Sequence, residues 1–198
     1  MRRIVFATGN EGKLREIKNI MADLPVEVVS MKEAGIEAEI EETGETFEEN
    51  AKIKAQAVAA YTDDIVLADD SGLEIDYLNK EPGVYSARYL GENTSYEIKN
   101  QTILDRLAGV QKEKRTARFV CAIAAVLPSK ETLVTRETIE GYIGEKPAGE
   151  NGFGYDPIFY VEEYQCSTAE LSEEQKNAIS HRGKALRAMK KLLREYGA

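Results

Sequence analysis

The sequence predicts an α/β fold with a mixed sheet, and three observations carry that prediction. A short apolar strand pattern over residues 3–7 runs through a glycine loop straight into a helical pattern. Strand and helix patterns then alternate as far as residue 73. Finally, residues 119–127 and 133–143 are two strand patterns joined by little more than Pro128-Ser129-Lys130-Glu131, which predicts a long hairpin and so antiparallel pairing. At 198 residues the chain fits one domain or two closely joined lobes, with enough length to bury a sizeable core.

Composition narrows the function. Apolar residues make up 42% and charged residues 31%, as in a soluble globular protein. No apolar run approaches the roughly 18 residues that a membrane span needs. Met1-Arg2-Arg3 leads directly into a strand pattern rather than a signal segment, so the expected location is the cytoplasm. The formal charge of -9 argues against binding a nucleic-acid backbone, which needs Lys and Arg to replace counterions, but it admits a small anion that arrives with a metal. Cys121 sits in an apolar run and Cys166 in a polar loop, with no paired-cysteine spacing; this speaks against a disulfide or zinc site and for a reducing compartment. One histidine among many carboxylates makes any metal a hard, oxygen-seeking one such as Mg²⁺.

Taken in order, the first strand feeds Thr8-Gly9-Asn10-Glu11-Gly12-Lys13, and a helix follows with Leu14, Ile17, Ile20 and Met21 on one face. Such a loop can aim backbone N–H groups at an anion while its glycines let a phosphate approach; a plain strand-to-helix turn is the other reading, since the spacing is not that of a Walker A loop. Residues 26–30 make the next strand. The acidic cluster Glu39-Ile40-Glu41-Glu42-Thr43-Gly44 precedes a helix over 46–61. Acids near a helix start suit the macrodipole, and Thr46 with Glu49 has capping-box spacing, but this leaves Glu41 spare. Phe47, Ala51, Ala55 and Val58 form the core face of that helix. Asn50 and Lys54 lie on a neighbouring stripe that either faces a cleft or is a solvated flank.

The stretch Ile65-Val66-Leu67-Ala68-Asp69-Asp70-Ser71-Gly72-Leu73 is a buried-strand pattern stopped by two carboxylates. It either delivers acids to a cation or begins a solvated Asp-Ser-Gly turn. Pro82-Gly83 opens an ordered loop with aromatic residues around Arg88, and residues 94–107 are helical with Ile103, Leu104 and Leu107 inward. In residues 149–159, three glycines and a proline surround Phe153, Tyr155 and Asp156. Glycines there can leave an aromatic ring open as a stacking platform for a base, or simply make a tight turn. Ser172 with Gln175 has capping-box spacing for a short helix carrying Lys176. Ser180-His181-Arg182 opens the last helix, whose Ala185, Met189 and Leu192 face the core.

Thr8–Lys13, Glu41 to Gly44 with Thr46-Phe47 and Asn50-Ala51, Ala68 to Gly72, Pro82 to Tyr89, Gly152 to Pro157 and Ser180-His181-Arg182 occur together and in order. The combination closely resembles the inosine/xanthosine triphosphate pyrophosphatase family, house-cleaning hydrolases of non-standard purine nucleotides, over nearly the whole chain. The resemblance implies a long mixed sheet flanked by helices, with two lobes around a central cleft in a single domain of residues 1–198, and a homodimer. It implies a reaction: ITP, dITP or XTP becomes the monophosphate plus pyrophosphate. It implies Asp70 as general base, and Glu41 and Asp70 as Mg²⁺ ligands, with Asp69 a further ligand or the holder of a nearby water. Thr8, Gly9, Asn10, Glu11, Gly12, Lys13, Asn50, Lys54, Ser71 and Arg88 would bind the substrate, with Phe153, Gly154, Tyr155, Asp156, Lys176, Ser180, His181 and Arg182 around the base.

Chemistry agrees with those expectations. A triphosphate brings about four negative charges near neutrality, which Mg²⁺, Lys13 and Lys54 would offset locally. Lys176 and Arg182 carry donors only, so they suit the 6-oxo acceptor of hypoxanthine or xanthine and repel the amino group of adenine. A phosphotransferase, a pyrophosphatase of other nucleotides and a non-catalytic nucleotide-binding module are the competing readings. Carboxylates facing a bare triphosphate would repel it, which favours catalysis with a metal over mere binding.

Overall fold

The first strand, β1 (Arg2–Phe6), pairs in parallel with β2 (Val26–Ser30) on one side and with β3 (Ile65–Ile75) on the other. With β4 (Thr116–Val126), β5 (Thr132–Ile143), β6 (Phe159–Val161) and β7 (Cys166–Ser167), they hydrogen-bond in the order β2-β1-β3-β4-β5-β6-β7. The pairs β5–β6 and β6–β7 are antiparallel, so the sheet of this computed structural model is mixed, as expected. Helices α1 (Glu11–Met21), α2 (Phe47–Ala59), α3 (Tyr96–Arg106), α4 (Glu173–Ile179) and α5 (His181–Glu195) flank it. The structure describes residues 2–197; Met1, on which the expectation of no signal segment partly rests, lies outside them. Among the described residues no helix is long and apolar enough to cross a membrane.

The chain divides into two compact units. One contains the residues up to Asp70, Cys121–Glu137 and the residues from Arg182 onward; the other contains Ser71–Val120 and Thr138–His181. The first unit buries Ile4 and Phe6 of β1 with Ile17 and Met21 of α1, Leu67 of β3, Ile123 of β4 and Ala185, Met189 and Leu193 of α5. Helix α1 starts where Asn10 caps it, the side chain accepting from Lys13 N–H, and its apolar residues fall at the helical spacing read from the sequence. In α2 the expected face, Phe47, Ala51, Ala55 and Val58, is buried, and Thr46 caps the helix by accepting from Glu49 N–H. The second unit packs Leu73 and Ile75 of β3, Ile103 and Leu104 of α3 with Leu107, Ile139 and Ile143 of β5, and Ile158 and Phe159.

Two features depart from the sequence expectations. Strand β3 does not stop at its acids: it continues through Asp69, Asp70 and Ser71 to Ile75, with both aspartates buried. The turn reading of Asp-Ser-Gly therefore fails, because strand pairing claims these backbone groups before a local turn does. Arg115, unremarked in the sequence, is 3% exposed and donates to the carbonyl oxygens of Leu107, Ile143 and Gly144. The hairpin is as expected: Leu127 N–H donates to Glu131 C=O across the turn between β4 and β5.

Candidate active site

In the first unit, alternation along β3 sends Asp69 and Asp70 to opposite faces, and their surroundings differ accordingly. Asp69 is 3% exposed, and its Oδ2 accepts from Lys13 Nζ at 2.7 Å and from Arg182 Nε at 3.4 Å. Burial works against its charge, but the two cations outweigh that and hold its pKa down at about 2. Arg182 also reaches Glu16 at 3.5 Å. The loop from Thr8 to Lys13 thus starts α1 with its lysine already tied to β3. Thr8 Oγ1 accepts from Asn10 N–H at 3.1 Å, and a Cβ placed on Gly9 would meet nothing within 4 Å, so the backbone there has room for a ligand. Glu11 is exposed and lies in the first turn of α1.

Asp70, 8% exposed, receives Lys54 Nζ at 3.3 Å on Oδ1, while its Oδ2 is buried with no hydrogen-bond partner. Burial raises its pKa and the Glu42 carboxylate adds to the rise, more than Lys54 and the Asn50 amide offset. Lys54 stands between Asp70 and Glu42, the latter at 3.1 Å. Burial disfavours its ammonium, but Asp70, Asp69 and Glu42 together hold its pKa above the usual lysine value. Asn50, from the same α2 stripe, is wholly buried and accepts from Gly44 N–H at 2.8 Å through Oδ1. At Asn50 and Lys54 the stripe is therefore inward, while Tyr61 at its far end is 64% exposed. A Cβ on Gly44 would lie 2.7 Å from both Asn50 Oδ1 and the Glu49 side chain, so only glycine lets this segment approach α2 so closely.

The acidic cluster resolves by parity. From Ile36 to Glu45 burial alternates residue by residue, placing Ile36, Ala38, Ile40, Glu42 and Gly44 inward and Glu37, Glu39, Glu41, Thr43 and Glu45 outward. Glu42, which sequence reasoning passed over, is thereby committed to Lys54, whereas Glu41 is exposed and makes no ion pair among the described residues. The signal was present: Ile36, Ala38 and Ile40 set an even-numbered apolar period that continues to Glu42.

The second unit holds the other expected residues. Gly152 to Asp156 form a tight loop with positive φ at Gly152 (75°) and Gly154 (66°). Asp156, 4% exposed, closes it: Oδ2 accepts from Phe153 N–H at 2.9 Å and from Lys176 Nζ at 2.5 Å, and Oδ1 accepts from Thr168 Oγ1 at 2.8 Å. Both oxygens of this carboxylate are occupied by the protein itself. A Cβ on Gly152 would collide with Asp156 and come within 2.6 Å of Lys176 Nζ. Phe153 stands out at 74% exposure with Lys176 Nζ 5.1 Å from its ring centroid. Tyr155 is buried, its hydroxyl donating to Ser86 C=O at 2.6 Å. Arg88 lies 5.1 Å from the Tyr85 ring centroid, and Ser71 is half-buried on β3. Ser180 ends α4, and His181 stacks on Phe119 with ring centroids 5.5 Å apart. Arg182, expected as a donor to the base, belongs to the first unit and pairs with Asp69.

Among the described residues no three His, Cys, Asp or Glu side chains gather as a ready-made metal cluster. A hard cation binds through as few as one or two carboxylates, keeps several waters and shares its coordination with substrate phosphates. The buried, unpartnered Asp70 Oδ2 and the uncommitted Glu41 are donors of the right kind.

The model of the Ham1 family matches residues 4–192. A dITP/XTP pyrophosphatase of Bacillus licheniformis is 50% identical over 193 residues, covering 98% of each chain. One from Thermoanaerobacter pseudethanolicus is 52% identical over 188 residues, 95% of this chain and 94% of its own. Among solved structures, the Ham1 protein of Staphylococcus aureus superposes with a TM-score of 0.91 at 45% identity, covering 98% of this chain and 100% of that one.

Proposed function

The chain belongs to the Ham1 family, and from that premise we propose that it is a nucleoside-triphosphate diphosphatase hydrolysing non-standard purine nucleotides (ITP, dITP, XTP) to the monophosphate and pyrophosphate. The observation that carries the chemistry is Asp70: a buried carboxylate with one oxygen tied to Lys54 and the other in no hydrogen bond, although the Asn50 amide lies near enough to favour its charge. A structural carboxylate would be saturated; this one is left open for a proton or a cation.

In this reading the water oxygen attacks a phosphorus, its proton passes to Asp70 Oδ2, and the bond between the α- and β-phosphates breaks to release pyrophosphate. The burial that raises the Asp70 pKa makes it a stronger base than a free aspartate. Bound through Asp70 and Glu41, Mg²⁺ would supply polarisation of water and neutralisation of phosphate charge. Lys13, aimed by Asp69, and Lys54, aimed by Glu42, meet the charge that grows on the leaving pyrophosphate. The glycine loop from Thr8 to Gly12 offers backbone N–H groups at the start of α1.

Residues of the second unit would read the base. Phe153, exposed and edged by a cation, is a stacking surface, and Lys176 offers only donors to a purine 6-oxo group. Asp156 acts by orienting Lys176 and the loop, since its own oxygens are occupied. Arg182, held by Asp69, would add donors for the 6-oxo group. We take residues 1–198 as one catalytic unit, a reading supported by relatives that match over nearly their full lengths. A reducing cytoplasm agrees with two free cysteines. A homodimer agrees with the exposed Tyr77, Tyr85, Leu90 and Ile98 of the second unit.

The test is pyrophosphate release from ITP, XTP, GTP, ATP and UTP, each with and without Mg²⁺. Release from ITP and XTP, dependent on metal, is the expected result. Phosphate in place of pyrophosphate, or a pyrimidine preference, would assign a different hydrolase, and binding without release would leave a nucleotide-binding module.

A further inference from the structure

Helix α3 carries two buried polar side chains that the chemistry above does not use. Lys99 is 1% exposed and Asn100 is 6% exposed, and neither meets a carboxylate within ion-pair or hydrogen-bond distance among the described residues. Lys99 Nζ donates to Ala87 C=O at 2.7 Å and lies 4.7 Å from the Tyr96 ring centroid. Asn100 Nδ2 donates to Gly154 C=O at 3.0 Å, while its Oδ1 is buried without a partner. Tyr96 meets Tyr155 edge to face at 5.2 Å, and the Tyr155 hydroxyl returns to Ser86 C=O.

Tyr96, Lys99 and Asn100 stand at i, i+3 and i+4, so they share one face of α3. That face reaches two loops at once. Ala87 immediately precedes Arg88, and Gly154 immediately follows Phe153. Each tether therefore fixes the peptide beside a side chain expected to touch substrate. Packing alone gives no reason for these residue types: a buried ammonium paired with one carbonyl, and an amide with an orphaned oxygen, cost more desolvation than methionine or leucine in the same space.

We propose that Lys99 and Asn100 are positioning residues for base selection: they brace the 83–88 and 152–156 loops so that Arg88 and Phe153 present one geometry, and this geometry sets how sharply a 6-oxo purine is preferred. The proposal rests on the functional reading above. It differs from a role in stability, because tethers that cost desolvation are lost without loss of fold while the loops they hold gain freedom.

The experiment compares wild-type protein with Lys99→Met and Asn100→Leu. Three quantities are read: thermal midpoint, amide hydrogen exchange over 83–88 and 150–156, and the ratio of kcat/KM for ITP over ATP. The brace predicts an unchanged or higher midpoint, faster exchange confined to those loops, and a ratio that shrinks about tenfold through a higher KM for ITP with kcat nearly constant. Equal proportional losses for ITP and ATP with a lower midpoint would mean a structural role and overturn it, as would an unchanged ratio whatever the exchange shows. Wild-type protein that releases no pyrophosphate from ITP would instead overturn the functional reading. Equilibrium binding of ITP and ATP to the same three proteins would then decide the brace by the same ratio.

Discussion

Asp70 and Asp156 are both buried carboxylates, one in each unit, and the protein treats them in opposite ways. Asp156 accepts from a backbone N–H, an ammonium and a hydroxyl, and both of its oxygens are occupied. Asp70 is no more exposed than a core residue, yet one of its oxygens has no partner and its pKa is pushed up by burial. Saturation, rather than burial, separates a carboxylate that holds a loop together from one kept open for chemistry. Asp69, the covalent neighbour of Asp70, differs from it in charge: Lys13 and Arg182 both donate to its Oδ2 and hold it ionised.

The sharpest way to break the comparison is to make the two carboxylates neutral or remove them and see which property each controls. Asp70→Asn keeps shape and removes the base, so kcat for ITP should fall on the order of a thousandfold with little change in the thermal midpoint. Near-normal turnover in that variant would remove Asp70 as the base. Asp156→Ala strips the acceptor from Phe153 N–H, Lys176 and Thr168 together, and its expected cost is about 2 to 3 kcal/mol of stability, read from urea unfolding. Lys176 is partly solvated, which keeps the figure below that of a fully buried pair. If instead Asp156→Ala folded as well as wild type and Asp70→Asn did not, saturation would be the wrong criterion.

Most of the architecture is legible in the sequence, because it follows from periodicity. The α1 face, the α2 face, the 119–143 hairpin and the Ser172–Gln175 capping box all appear as expected. What failed were inferences that need a third dimension. Asp-Ser-Gly reads as a turn only if its backbone is free, and in β3 the neighbouring strands claim it. Glu41 and Glu42 are indistinguishable by composition, yet one residue of parity sends Glu42 to Lys54 and leaves Glu41 in solvent. The partner of Arg182 is likewise out of view in the sequence: it reaches Asp69, 113 residues away along the chain. Lys99 and Asn100 were invisible for a different reason: their partners are backbone carbonyls at Ala87 and Gly154, and a carbonyl leaves no mark in the sequence.

Adjacent acids with opposite environments also have pKa values shifted in opposite directions, which sharpens the comparison on a single strand. Asp69 has its pKa lowered from 3.8 to about 2 in the folded protein. Its ion pairs therefore contribute stability that is fully present above the unfolded value and is lost as pH falls through the folded one, a total of about 2 kcal/mol. Asp70 has its pKa raised, so folding binds its proton more tightly, and its contribution falls as pH rises from 3.8 through the folded value. Urea midpoints of the metal-free protein, followed from about pH 6 down to about pH 2, should show a gap between wild type and Asp69→Asn that closes as the acid limit is approached. Against Asp70→Asn the difference should run the other way, wild type gaining relative to the variant on acidification. Parallel curves for Asp69→Asn and wild type would mean that Lys13 and Arg182 do not hold Asp69 ionised in solution. Lys13, proposed to meet the leaving group, would then be free of the strand that aims it.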